Sequence, residues 1–164
     1  MDDLTPEEDG TSMDTQWAVV GDTYFTGCQI PETIVFPEFN ELNPDMADSR
    51  YNSTHGVYAP GSGFRNAVPS FGHDEYLYQL FKHNKVDLPE SPYYMIRYHS
   101  LYPWHKEGSY EWLEDEFDKE MKPWVKLFNK YDLYTKENVK LDETLMHERY
   151  APIVEKFAPG ILTW

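Results

Sequence analysis

The sequence contains one cysteine, Cys28, so it can form neither an internal disulfide nor a thiolate zinc site. A reducing compartment is then the default. No apolar run approaches the ~18 residues a membrane-spanning helix needs. The opening MDDLTPEEDGTSMD has neither a positive stretch nor an apolar one, so it is no secretory signal. By elimination the expected location is the cytoplasm. Basic residues are also scarce: 14 Lys and Arg stand against 29 Asp and Glu, a net charge of −15. Phosphate contacts need clustered Lys and Arg, so neither nucleic acid nor anionic membrane is an expected partner.

Aromatic residues are abundant. Thirteen Tyr, nine Phe and five Trp give an aromatic content of 16%. Disordered chains are poor in such residues, so a packed core is expected. At 164 residues the chain has the size of one domain or a piece of a larger one. A chain this long buries roughly 70% of its unfolded surface and needs no disulfide framework.

Residues 1–16 stand apart. Asp2, Asp3, Glu7, Glu8, Asp9 and Asp14 have no base beside them, and the large apolar residues are Met1, Leu4 and Met13. This composition predicts an acidic, disordered leader before a domain over 17–164. Residues 17–72 carry much of the Gly and Pro and little steady periodicity. The runs Trp17–Val20 and Thr33–Phe36 read as short strands or buried extended segments. Gly61-Ser62-Gly63 lacks the lysine of a phosphate loop and reads as a turn.

From residue 73 the pattern is helical, so the expected class is all-α with an irregular segment before the first helix. His73 to Lys85 places Tyr76, Leu77, Leu80 and Phe81 on one stripe. Ser91-Pro92 predicts a helix start that runs through His99 and stops or kinks near Pro103. Pro123 reads as a first-turn proline ahead of Trp124, Leu127, Phe128 and Tyr131. Asp142 predicts the cap of a last helix, kinked at Pro152 and ended by Pro159-Gly160.

His73, His99 and Asp132 are the candidate chemical residues. Each lies on a predicted helix among apolar and aromatic neighbours. His99 shares a face with Met95 and Ile96, and Asp132 with Phe128, so both are expected to point inward. A buried carboxylate needs a partner. Two imidazoles and one carboxylate match the 2-His-1-carboxylate pattern of non-haem iron. Alternatives stay open at this level. The histidines fit hydrogen-bonded core residues, Asp132 fits an i, i+4 pair with Lys136, and Asp74 or His105 would serve as well by spacing. No G-x-S-x-G elbow is present, and no catalytic residue suggests itself outside the metal candidates.

Several longer motifs carry more information. QWAVVGDTYFTGC at 16–28, FGHDEYLYQLFKHN at 71–84, YYMIRYHSLYPWH at 93–105, FNKYDLYTK at 128–136 and the closing PGILTW resemble the myo-inositol oxygenase family. The resemblance implies an HD-type helical core, of which this chain would be the C-terminal part. It implies a cytoplasmic, largely monomeric, di-iron oxidoreductase of inositol catabolism. The reaction would open myo-inositol with dioxygen to give D-glucuronate. It places His73 and His99 on one iron and Asp132 on the other. Gly21, Asp22, His99, Ser100 and Lys136 would hold the substrate.

The resemblance also implies a departure. The family's remaining iron ligands, a separate histidine and a His-Asp pair followed by a lysine, precede the QWAVVGD motif. Here that place is taken by residues 1–15, which hold no histidine. The expectation is a truncated form with impaired turnover and exposed apolar surface. The alternative is a non-catalytic interaction module derived from the family.

Overall fold

The computed structural model describes residues 22–132 and 142–164. The leader 1–16, the run Trp17–Val20, Gly21 and Lys136 fall outside these. Among the described residues there are five α-helices and three short 3-10 turns. The 3-10 turns cover Pro37–Leu42, Pro44–Ala47 and Phe64–Asn66. The helices are α1 (His73–His83), α2 (Glu90–Tyr98), α3 (Tyr102–His105), α4 (Glu116–Asp132) and α5 (Glu143–Phe157). One antiparallel bridge, Phe25 to Pro69, is the sole β-pairing among the described residues. The all-α class follows from this.

Three local expectations are corrected. Thr33–Phe36 is neither a strand nor buried. It bends, with Phe36 at φ 60°, and leads into the first 3-10 turn. The α2 helix begins at Glu90, so Ser91 is not its cap. Pro92 still falls in the first turn, where its missing N–H has no helical partner to lose. The α4 helix begins at Glu116, seven residues before Pro123. Its true start signal is a reciprocal acidic cap. Asp118 N–H donates to Asp115 Oδ1 at 2.9 Å, and Asp115 N–H donates to Asp118 Oδ2 at 2.8 Å. This is the logic of a capping box with aspartate in both roles.

The core lies between the loop region and α2, α3 and α4. Its largest fully buried side chains are Trp104, Tyr98, Tyr110, Phe25 and Phe64. Their rings meet edge to face: Phe25 on Phe64 at 4.8 Å, and Phe64 on Trp104 at 4.7 Å. Each buried polar handle finds a partner. Tyr98 OH donates to the Phe64 carbonyl at 3.3 Å, and Trp104 Nε1–H donates to Glu114. Asp118, fully buried, accepts from Phe64 N–H at 3.0 Å and from Tyr94 OH. That carboxylate ties α4 to α2 and to the loop.

Two links set the position of the site. Arg97 on α2 makes a two-pronged bond to Glu75 on α1, at 2.5 and 3.1 Å, and its guanidinium lies 4.3 Å from the Tyr78 ring centroid. Both partners are largely buried, so the geometry is tightly held. The loop strand is fixed in turn by Thr23 N–H donating to the Ser100 carbonyl at 3.0 Å. Thr23 Oγ1 also donates to the buried Asp74. These bonds bring Asp22 beside the junction of α1 and α2.

Candidate metal and polyol site

His73 opens α1 and His99 caps the C-terminal end of α2. The Arg97–Glu75 clamp holds the two helices together two residues away on each. The imidazoles meet with Nε2 of His73 2.9 Å from Nε2 of His99. Ser100 Oγ lies 3.2 Å from the same His73 nitrogen. His99 Nδ1–H donates to the Ile96 carbonyl at 2.8 Å, which assigns its proton and leaves the Nε2 lone pair facing His73. A metal-binding histidine is oriented in this way, through its other ring nitrogen.

Asp132 ends α4 and is half-buried. Partial burial holds the His73 pKa below its ordinary value, against the Asp74 charge and the weaker effect of the Asp132 charge. His99 lies against Phe128 of the same helix, with ring centroids 5.6 Å apart. His73 is the most exposed of the three, with part of its ring covered, and His99 and Asp132 are only partly covered. The inward orientation expected from the flanking apolar residues is therefore met in part: the three line a face rather than a closed core.

Asp22 completes the polar wall. Its Oδ2 accepts from Val35 N–H at 2.8 Å. Its Oδ1 is buried and has no hydrogen-bond partner among the described residues. Burial raises the Asp22 pKa, with the Val35 bond and the Lys106 charge acting against it. A buried carboxylate oxygen left without a donor is a position where a ligand hydroxyl would be bound.

The structure adds residues the sequence did not single out. Tyr102, at the start of α3, is buried beside both Asp132 and Asp22, and burial followed by these two carboxylates pushes its pKa up to about 12. Asn129 Nδ2 and His105 Nε2 both donate to the His99 carbonyl, at 2.8 and 2.9 Å. They hold the end of α2 against α4 and α3. The one available signal was Asn129's place a turn before Asp132, as a polar residue on the inner side of α4.

A test of fit to a metal gives a partial answer. Two nitrogens held ~2.1 Å from one cation at a right angle lie ~3.0 Å apart, close to the separation of the His73 and His99 nitrogens. The pair therefore fits two adjacent positions on one cation. Among the described residues, no group of three His, Cys, Asp or Glu side chains closes on a common point. Nor is any described helix long and apolar enough to cross a membrane.

Comparison with known proteins agrees with the motifs. The sequence model of the myo-inositol oxygenase family matches residues 10–164. The inositol oxygenase of Bos taurus is 47% identical over 150 residues, which cover 91% of this chain and 53% of that protein. That of Danio rerio is 47% identical over 150 residues, 91% and 54%. That of Dictyostelium discoideum is 45% identical over 149 residues, 91% and 51%. The chain spans about half the length of the curated relatives it matches. With a family match running from residue 10 to Trp164, and its paired histidines meeting in space, the chain belongs to the myo-inositol oxygenase family.

Proposed function

We propose that this chain carries one part of an inositol oxygenase active site. In that site His73 and His99 would hold one iron ion, and Asp132 would be a carboxylate ligand of the other. The reaction would be the oxygenation of myo-inositol by dioxygen to D-glucuronate, in cytoplasmic inositol catabolism. The helices would be the C-terminal part of an HD-type core. The observation that carries this reading is the 2.9 Å approach of the two imidazole Nε2 atoms, with His99 oriented through its other nitrogen.

When bound, the metal supplies Lewis acidity toward a substrate hydroxyl and the redox chemistry of oxygen. The chain's own residues handle binding and protons. Inositol is a neutral polyol, so donors and acceptors hold it rather than a charged clamp. Asp22 Oδ1 is poised to accept a hydroxyl proton. Ser100 Oγ lies close enough to His73 to share the same hydroxyl. Gly21 and Lys136 are proposed to complete the polyol contacts, on family resemblance. Imidazoles must be neutral to ligate, and burial favours the neutral form of His73.

A site with two converging imidazoles and, among the described residues, no third ligand closing on them holds iron weakly. We therefore expect slow turnover by this chain alone. The test is iron loading of the purified chain, followed by EPR or Mössbauer spectroscopy and by assay for glucuronate. The expected result is substoichiometric iron that His99→Ala removes, with little product. Full turnover with two irons per chain would overturn the impaired-activity reading, and iron binding unchanged in His99→Ala would overturn the assigned ligands.

A second reading, a non-catalytic interaction module, draws on the exposed Leu145, Tyr150, Ile153 and Val154 of α5. Specific capture of one partner, unaffected by His99→Ala and abolished by Ile153→Ser, would favour it.

A further inference from the structure

The α4 helix carries Lys119, Lys122, Lys126 and Lys130 at spacings of three, four and four. Helical geometry gathers these into one stripe. Two adjoining clefts open along it. One, of about 260 Å³, is lined by His105, Lys106, Lys126, Asn129 and Lys130. The other, of about 520 Å³, is lined by Lys119, Lys122, Pro123, Lys126, Leu127 and Lys130. Among the described residues, no carboxylate lines either one.

The lysines differ in how they are neutralised. Lys119 pairs with Glu116 at 2.7 Å, and Lys122 pairs with Glu111 at 3.0 Å and Glu114 at 2.8 Å. Lys106, Lys126 and Lys130 pair with no carboxylate among the described residues, although acidic side chains outnumber basic ones two to one in this chain. Lys106 instead stands over the Tyr102 ring, 4.2 Å from its centroid. Both Lys106 and Lys126 act electrostatically on His105, so they bracket the smaller cleft. Lys106 feels the Asp22 carboxylate only at longer range, and three ammonium groups around one concavity repel one another unless an anion lies between them.

We propose that the cleft between α3 and α4 binds a small phosphate-bearing anion, distinct from the polyol site. A cleft of about 260 Å³ is near the lower end of the size that holds a small-molecule ligand. The overall charge of −15 opposes the approach of an extended polyanion, while a small anion responds to the local field of the cleft. The cleft floor is made by His105 and Asn129, which both donate to the His99 carbonyl. An occupant therefore lies one layer of side chains behind His99. The proposal does not depend on the metal reading of His73 and His99.

Calorimetric titration of the intact chain with inorganic pyrophosphate, and separately with inorganic orthophosphate, tests it directly. The expected result is saturable 1:1 binding, tighter for pyrophosphate and weakened by added salt. Lys126→Gln with Lys130→Gln weakens it at least tenfold, while Lys82→Gln with Lys156→Gln, an equal loss of charge elsewhere, leaves it unchanged. On the unsubstituted chain, NMR shifts with pyrophosphate cluster at residues 105–106 and 126–130, which keeps the test valid if the double variant misfolds. Absence of saturable binding overturns the proposal. So does equal weakening in both double variants, or shifts elsewhere on the molecule. Binding confined to an acidic peptide or to phosphatidylserine vesicles also overturns it.

Discussion

The helices α4 and α5 have much in common. They run 17 and 15 residues, each begins at an aspartate cap, and each carries a proline in its interior, Pro123 and Pro152. Their fates differ. The α4 helix buries Asp118, Met121 and Val125 against the aromatic core. The α5 helix buries nothing, and its Leu145, Tyr150, Ile153 and Val154 are all exposed. It is joined to the rest by edge contacts such as Asp87 N–H to the Phe157 carbonyl at 3.2 Å. A capped start and apolar side chains are thus enough to specify a helix, but not to decide whether it is packed. What separates the two is the surface they meet. Facing α4 are Phe64 N–H, Tyr94 OH and the ring of Trp104, all needing partners or cover.

That contrast can be broken most forcefully at Trp104. Its indole is fully buried and packs on Phe64, so Trp104→Ala should cost ~4 kcal/mol. Chemical denaturation would measure it, and a loss below ~1 kcal/mol would mean the core does not hold α4 as described. Next comes Asp118→Ala. It leaves Phe64 N–H, Asp115 N–H and Tyr94 OH without their acceptor and should cost ~3 kcal/mol. Hydrogen exchange of the α4 amides would then approach that of α5, whereas unchanged protection would refute the anchoring role.

A pH dependence follows from the packed side of the comparison. Burial, with smaller contributions from Lys106 and Lys126, lowers the His105 pKa to about 4. The unfolded chain takes up this proton near the ordinary value of ~6.5. The stability is therefore fully present above ~6.5 and is lost as the pH falls from there toward about 4, with no further loss below. Melting temperatures across this window should fall more steeply for the natural chain than for His105→Gln, which keeps a donor for the His99 carbonyl. Parallel curves would rule His105 out as the source. The smallest effect belongs to α5. Ile153→Ser, on a half-exposed side chain, should change stability by no more than ~0.5 kcal/mol. A loss above ~2 kcal/mol would show that α5 is packed after all.

Legibility in the sequence varied with the range of the interaction involved. The start of α1 at His73, the end of α2 before Pro103 and the Asp142 cap are local events, set by a few neighbouring residues. At α4 the local signal misleads: Pro123 has the look of a first-turn proline, while the helix begins at the Asp115–Asp118 pair, whose reciprocal bonds form only in the folded backbone. The mostly apolar run Thr33–Phe36 suggests a strand or buried segment, but among the described residues no partner strand faces it. The lysine stripe of α4 was hidden behind the net charge, a sum that says nothing about clustering.

By itself the sequence determined the helical class, the aromatic character of the core and the motifs that identify the family, because these depend on composition, periodicity and local order along the chain. It also marked His73, His99 and Asp132, through polar side chains placed among apolar ones. Only the tertiary structure decided that the two imidazoles converge at 2.9 Å, that Asp22 Oδ1 has no donor among the described residues, and that α4 is packed while α5 is not. Those outcomes depend on contacts between residues tens of positions apart. The Arg97–Glu75 clamp and the Thr23–Ser100 bond that enforce them leave no periodic signature in the order of amino acids.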